Sequence, residues 1–135
     1  MNHKLQVLVV EDEPSMQVLL RHVLSRAGYE VTLATNGPEA KQILLDRHFD
    51  LICSDVMMSG CDGIQLCTWV NQQPRLRDIP FIILSSRAQH GERELGMRAG
   101  ADAYLTKPFD VEELVSTLRA IVVVRTINQQ RMRAA

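Results

Sequence analysis

Leu51-Ile52-Cys53-Ser54-Asp55-Val56-Met57-Met58-Ser59-Gly60 decides how the chain reads. A short apolar run carries one carboxylate, Asp55, to its end, and a loop follows at once. Such a run, with no polar alternation, suits a β-strand covered on both faces. Two other stretches share the form. Val7-Leu8-Val9-Val10 ends in Glu11-Asp12-Glu13, and Ala103-Tyr104-Leu105-Thr106 ends in Lys107-Pro108. Acids, a central Asp and a Lys, each just past a buried strand, are the parts of a magnesium-dependent phosphoryl-acceptor site.

Outward from that stretch, strand and helix patterns alternate five times. Strands are expected over 5–10, 30–34, 50–55, 81–85 and 102–106. Pro14 suits the first turn of a helix, and Met16, Leu19, Leu20, Val23, Leu24 and Ala27 recur at helical spacing before Gly28. Asn36-Gly37-Pro38-Glu39 opens a second helix through Ala40, Ile43 and Leu44, and Asp62 or Gly63 opens a third through Ile64, Leu66, Cys67 and Val70. The fourth helix, over 91–99, is weakly marked: Leu95, Met97 and Ala99 are apolar, and Gly96 interrupts it. Phe109-Asp110 starts the last, with Val111, Leu114, Val115, Leu118, Ile121 and Val122 on one face. Buried parallel strands joined by right-handed helical crossovers are the natural solution, giving a three-layer α/β sandwich with one core. In such sheets the ligand site lies beyond the C-terminal strand ends, which places Glu11, Asp12, Asp55, Ser85 and Lys107 along one edge.

Bulk properties exclude several alternatives. The 135 residues suit one domain, and 46% apolar and 23% charged content is ordinary for a globular chain. A formal net charge of −1 provides no global field for nucleic acid or an anionic membrane. Three cysteines, Cys53, Cys61 and Cys67, fit neither a disulfide framework nor a zinc site. No apolar stretch approaches a membrane span, and the N-terminus leads straight into a strand, so the expected compartment is the cytoplasm.

Each candidate residue also has an ordinary structural explanation. Acids at a helix start suit the dipole, a strand-end Asp can cap a turn, and Tyr104 could be a half-buried aromatic. Three adjacent carboxylates repel one another, however, unless a cation sits among them. Asp12 is the expected direct magnesium ligand, with Glu11 direct or through water, and with oxygens from Asp55 and the Met57 carbonyl. Asp55 can attack phosphorus, while Lys107 and the Ser85 hydroxyl can hold the phosphoryl oxygens.

With these motifs assembled, the chain resembles the receiver domain of a two-component response regulator. The matching residues are Val7 to Pro14, Asp50-Leu51 through Asp55-Val56-Met57-Met58, Asp62-Gly63, Asp78-Ile79-Pro80 through Leu84-Ser85, and Gly100 to Phe109. The resemblance covers residues 5 to 122. It implies a five-stranded parallel sheet of order 2-1-3-4-5 flanked by five helices, the flavodoxin-like doubly wound sandwich. It implies a receiver over 4–122, followed by a helical extension and polar tail over 123–135.

By matching position, Asp55 resembles the phospho-acceptor, Glu11 and Asp12 the magnesium-holding acids, and Lys107 the phosphate-binding lysine, its bond to Pro108 cis. Ser85 resembles the hydroxyl switch and Tyr104 its aromatic partner. The implied donor is a sensor histidine kinase or phosphotransfer protein. The phosphoryl oxygens would draw in Ser85, Tyr104 would turn inward, and the face of the fourth helix, fifth strand and fifth helix would change. That face would act on a target or output domain, or form a homodimer. No enzymatic turnover beyond self-catalysed transfer and dephosphorylation is implied.

Three positions depart from the pattern: Ser59 where Pro is usual, Ser85 for the commoner Thr, and Ser86 for a small Ala. Met57 and Arg87 flank the acceptor where water attack is tuned. Ala120, Val124 and Ile127 form a second apolar line on the last helix, open as a frayed end, a dimer contact or a linker helix. A haloacid-dehalogenase-type hydrolase would need an acid at Met57, and a flavodoxin-like cofactor binder would be repelled by Glu11-Asp12-Glu13. A phosphorylation-independent adaptor would be expected to lack the Asp or Lys. No nucleic-acid-binding motif is present.

Overall fold

Residues 4–56, 62–85 and 91–134 are described by a computed structural model. The elements alternate as the apolar runs require: β1 Gln6–Val10, α1 Pro14–Arg26, β2 Glu30–Ala34, α2 Gly37–Asp46, β3 Leu51–Asp55, α3 Gly63–Gln72, β4 Phe81–Ser85, α4 Glu92–Arg98, β5 Ala103–Thr106 and α5 Val111–Ala134. All strand pairs are parallel, in the order β2-β1-β3-β4-β5. The three central strands are the continuously apolar ones. β2 and β5 lie at the edges and keep partly exposed residues.

Side chains alternate across the sheet, so one strand serves two layers. Leu8, Val10, Ile52, Phe81 and Ile83 pack with α2 and α3 through Ala40, Leu44, Leu66, Cys67 and Val70. Val7, Val9, Leu51, Cys53, Ile82 and Leu84 pack with α1 and α5 through Leu20, Leu24, Leu114 and Leu118. The single core expected from the sequence is therefore two apolar layers with the sheet between them. Burial in this second layer pushes the Cys53 thiol up to about 12, so it stays protonated and acts as packing.

The helix ends follow their local signals. Pro14 opens α1, and Gly28 follows its end at φ 100°. Asn36 caps α2 by accepting from Glu39 N–H at 2.7 Å. Asp62 and Gln65 form a reciprocal capping box on α3. Two apolar residues of the helical patterns face outward. Val111, placed on the apolar face of the last helix, and Leu19, part of the helical spacing of the first, are 44% and 42% exposed. Val111 sits at the first turn of α5, before that helix meets the sheet layer. Leu19 directly precedes Leu20, which takes the core position on α1.

α5 runs through position 122 without a break to Ala134, about 36 Å at 1.5 Å per residue. Ala120, Val124 and Ile127 are exposed along it. The helix is tied to the sheet by Arg125, whose Nε and Nη2 donate to the two Asp102 carboxylate oxygens at 3.0 and 3.1 Å. Asp102 also accepts from Phe81 N–H, at the start of β4, at 2.8 Å. Arg125→Ala should therefore cost about 1 kcal/mol, as a partly exposed bidentate pair does. Asp102→Ala should cost about 2 kcal/mol, because it also strands a backbone donor. Urea midpoints of the two variants check this order, and equal midpoints would contradict it.

Candidate functional site

The register brings the singled-out residues to one edge. Val10 pairs with Ser54, Asp55 with Leu84, and Ser85 with Thr106. Glu11, Asp55, Ser85 and Lys107 therefore all stand at neighbouring C-terminal strand ends. Backbone bonds fix these ends: Glu11 N–H donates to Ala34 at 2.9 Å, Val56 N–H to Leu84 at 3.1 Å, and Lys107 N–H to Ser85 at 2.6 Å. The Lys107–Pro108 bond is cis.

One ligand oxygen each from Glu11, Asp12 and Asp55 lies within 4.8 Å of the others. Their environments differ. Glu11 is 1% exposed, and both its oxygens are engaged: Oε1 accepts from Lys107 Nζ at 2.8 Å, and Oε2 from Glu13 N–H at 3.2 Å. Burial pushes the Glu11 carboxyl up, more than Lys107 and the Glu13 amide pull it down. Burial alone would lower Lys107, but the Glu11 bond and the Asp55 charge outweigh it, so its pKa is raised and the ammonium stays charged. Asp12 is exposed. Asp55 is buried, its Oδ2 lies 3.6 Å from Lys107 Nζ, and its Oδ1 has no hydrogen-bond partner among the described residues. A buried carboxylate oxygen left unpaired is costly. Here it sits beside two further acids, an arrangement that calls for a cation.

α3 presses directly against this edge. A Cβ on Gly63 would stand 2.2 Å from the Asp55 carbonyl oxygen, while Gly63 N–H donates to Val56 at 2.8 Å. Gly63→Ala must push α3 off the acceptor strand, and a loss of about 3 kcal/mol is expected. A thermal melt indistinguishable from the unsubstituted protein would contradict this. Position 63 was read as a helix start. Its close approach to backbone left no mark in the sequence beyond the glycine itself.

Ser85 is fully buried, and its hydroxyl donates to Glu92 Oε1 at 2.6 Å. The Tyr104 hydroxyl donates to the same oxygen. Tyr104 is 6% exposed, so its ring is already inside, not half-buried at the surface. The room comes from Gly96, where a Cβ would stand 3.4 Å from the ring. Burial, with the Glu92 bond second, pushes the Tyr104 hydroxyl up to about 12, so it remains a donor. Glu92 went unnoticed in the sequence, because an acid in the first turn of a helix reads as an ordinary dipole partner. Met57, proposed to give a carbonyl ligand, lies outside the described residues, as do Ser59, Ser86 and Arg87.

Comparison with known proteins gives a consistent answer. A family model described as the response regulator receiver domain matches residues 7–119. The phosphate regulon transcriptional regulatory protein PhoB of Rhizobium meliloti is 39% identical over 117 residues, 87% of this chain and 52% of that protein. The chain thus spans about half the length of the curated relatives it matches. A putative response regulator from Chloroflexus aurantiacus superposes with a TM-score of 0.86 at 35% identity, covering 90% of this chain and 99% of that one. The receiver domain of a sensor histidine kinase from Pseudomonas aeruginosa, solved with magnesium coordinated in its active-site cleft, gives 0.82 at 32% identity, with 89% and 98% covered. No helix among the described residues is long and apolar enough to cross a membrane.

Proposed function

The chain belongs to the response regulator receiver domain family, and on that premise we propose that Asp55 accepts a phosphoryl group in a magnesium-dependent step. The observation that carries this reading is the buried Asp55 Oδ1, without a partner among the described residues, beside Asp12 and Glu11, with Lys107 Nζ 3.6 Å from the other Asp55 oxygen. The donor is a phosphohistidine on a sensor histidine kinase or phosphotransfer protein. An Asp55 oxygen forms the O–P bond as the donor N–P bond breaks, and the leaving imidazole takes up a proton.

Asp12 and Asp55 would supply the free carboxylate oxygens for the ion. Glu11, engaged by Lys107 and Glu13 N–H, braces the site and contributes through water. Bound magnesium offsets the carboxylate and phosphoryl charges. Lys107 steadies the incoming oxygens as a point charge. Ser85 then donates its hydrogen bond to a phosphoryl oxygen, and the change passes to Tyr104 and α4. The domain is a signalling switch and not a turnover enzyme. Residues 4–122 form the receiver, and 123–135 are a helical extension and polar tail that leads toward an output domain or target. The α4/β5/α5 face carries the signal, as a docking or homodimer surface, and the setting is the bacterial cytoplasm. This part of the chain does not itself read DNA.

Incubation with acetyl phosphate and magnesium, followed by intact mass measurement, tests the reading. A gain of one phosphoryl group that disappears without magnesium is expected. No gain together with no beryllofluoride binding would leave the acidic cluster as structure alone, in a phosphorylation-independent adaptor.

A further inference from the structure

The Ser85 hydroxyl has one proton to donate, and in this structure that proton goes to Glu92. Ser85 is also the residue that follows, on β4, the register partner of Asp55, so a phosphoryl group on Asp55 arrives beside it. Glu92 is half-buried at the first turn of α4 and accepts from Tyr104 through the same oxygen. Four residues on, Gly96 lies against the Tyr104 ring and Ile83, where a Cβ would meet atoms at 3.4 and 2.9 Å. α4 is thus clamped over β4 and β5 at two points, one of them a single carboxylate oxygen shared by both hydroxyls.

We propose that Glu92 is a positioning residue that competes with the phosphoryl group for the Ser85 proton and thereby sets how readily Asp55 takes up and keeps that group. The inference rests on the acceptor reading of Asp55. Without a phosphoryl group, the Glu92 carboxylate is the stronger acceptor available to Ser85, because charged acceptors form bonds about twice as strong as neutral ones. A phosphoryl oxygen is charged too, and in accepting the Ser85 hydrogen bond it leaves Glu92 Oε1 with the bond from Tyr104. The α4 start then loses its Ser85 tie to the sheet. Removing Glu92 weakens the resting arrangement without touching Asp55, Asp12 or Lys107, so the phosphoryl-bearing state gains by comparison.

The test is beryllofluoride affinity in the presence of magnesium, this ion standing in for the phosphoryl group. Glu92→Ala should bind about tenfold more tightly, the factor set by one bond to a charged acceptor. Glu92→Gln keeps a neutral acceptor in place and should bind about threefold more tightly. Glu94→Ala, an exposed acid of the same turn, should match the unsubstituted protein. The Tyr104 ring resonance in Glu92→Gln should already be displaced toward its beryllofluoride position before any is added. Should Glu92→Ala fail to fold, the Gln variant and its resonance decide. Unchanged or weaker affinity in the folded Glu92 variants, with the unsubstituted protein binding normally, overturns the role of Glu92 alone. An unsubstituted protein that binds no beryllofluoride overturns the acceptor reading and this inference with it.

Discussion

Asp55→Asn is expected to take up no phosphoryl group from acetyl phosphate, and in the absence of magnesium to melt about 3 °C above the unsubstituted protein. The two halves have separate causes. An amide is not a nucleophile toward phosphorus, so uptake disappears outright. The stability gain comes from charge. Glu11, Asp12 and Asp55 present oxygens within 4.8 Å of one another, and Asp55 Oδ1 is buried without a partner among the described residues. Neutralising one member relieves repulsion and the desolvation of an unpaired charge. The loss is the weaker of the two Lys107 contacts, at 3.6 Å, while the 2.8 Å bond to Glu11 remains. A net gain of about 1 kcal/mol follows. Magnesium should raise the melting temperature of the unsubstituted protein more than that of the variant. A variant that melts lower in both conditions would mean that Asp55 is a structural cap.

Lys107→Ala should have the opposite effect on the fold. Glu11, 1% exposed, would lose its 2.8 Å partner and face Asp55 with no cation between them. Removing one partner of a buried pair costs about 3 kcal/mol, and magnesium should restore part of it by supplying the missing positive charge. Phosphoryl uptake should slow about a hundredfold, the size seen when one preorganised donor to a developing anion is removed. Denaturant midpoints with and without magnesium, alongside the rate of mass gain, check both. A midpoint that does not move would show that Glu11 and Lys107 do not depend on each other. A loss that magnesium fails to recover would separate the lysine from the ion site.

The central strands were legible because complete burial leaves runs such as Val7-Leu8-Val9-Val10 and Phe81-Ile82-Ile83-Leu84 with no polar interruption. The site was legible for a related reason: charged residues directly beyond such runs must lie at strand ends, and parallel pairing gathers those ends along one edge. α4 was not legible. Its apolar residues, Leu95, Met97 and the capping Ala99, alternate along the chain, which puts Met97 across the helix from the other two and marks no clear inward face. The structure leaves Leu95 and Met97 exposed and turns Gly96 inward, under Tyr104. The inward position of Tyr104 could not be read from β5, because it depends on space left by a glycine and on a carboxylate from another element. Glu92 was invisible for the same reason, seven residues past Ser85 and on another element. The long run of α5 was half legible: the apolar stripe was plain to Val122, but the tie through Arg125 to Asp102 joins residues 23 apart.

The central claim is that Asp55, and no neighbouring acid or hydroxyl, carries the phosphoryl group. Phosphorylating the unsubstituted protein with acetyl phosphate and magnesium, reducing it with borohydride and sequencing its peptides by mass spectrometry tests this most directly. Reduction converts an aspartyl phosphate to homoserine, and the result expected is homoserine at position 55, absent when magnesium is withheld. Reduction at position 12 instead, phosphate retained on Ser54 or Ser85, or an unmodified chain with magnesium present would contradict it.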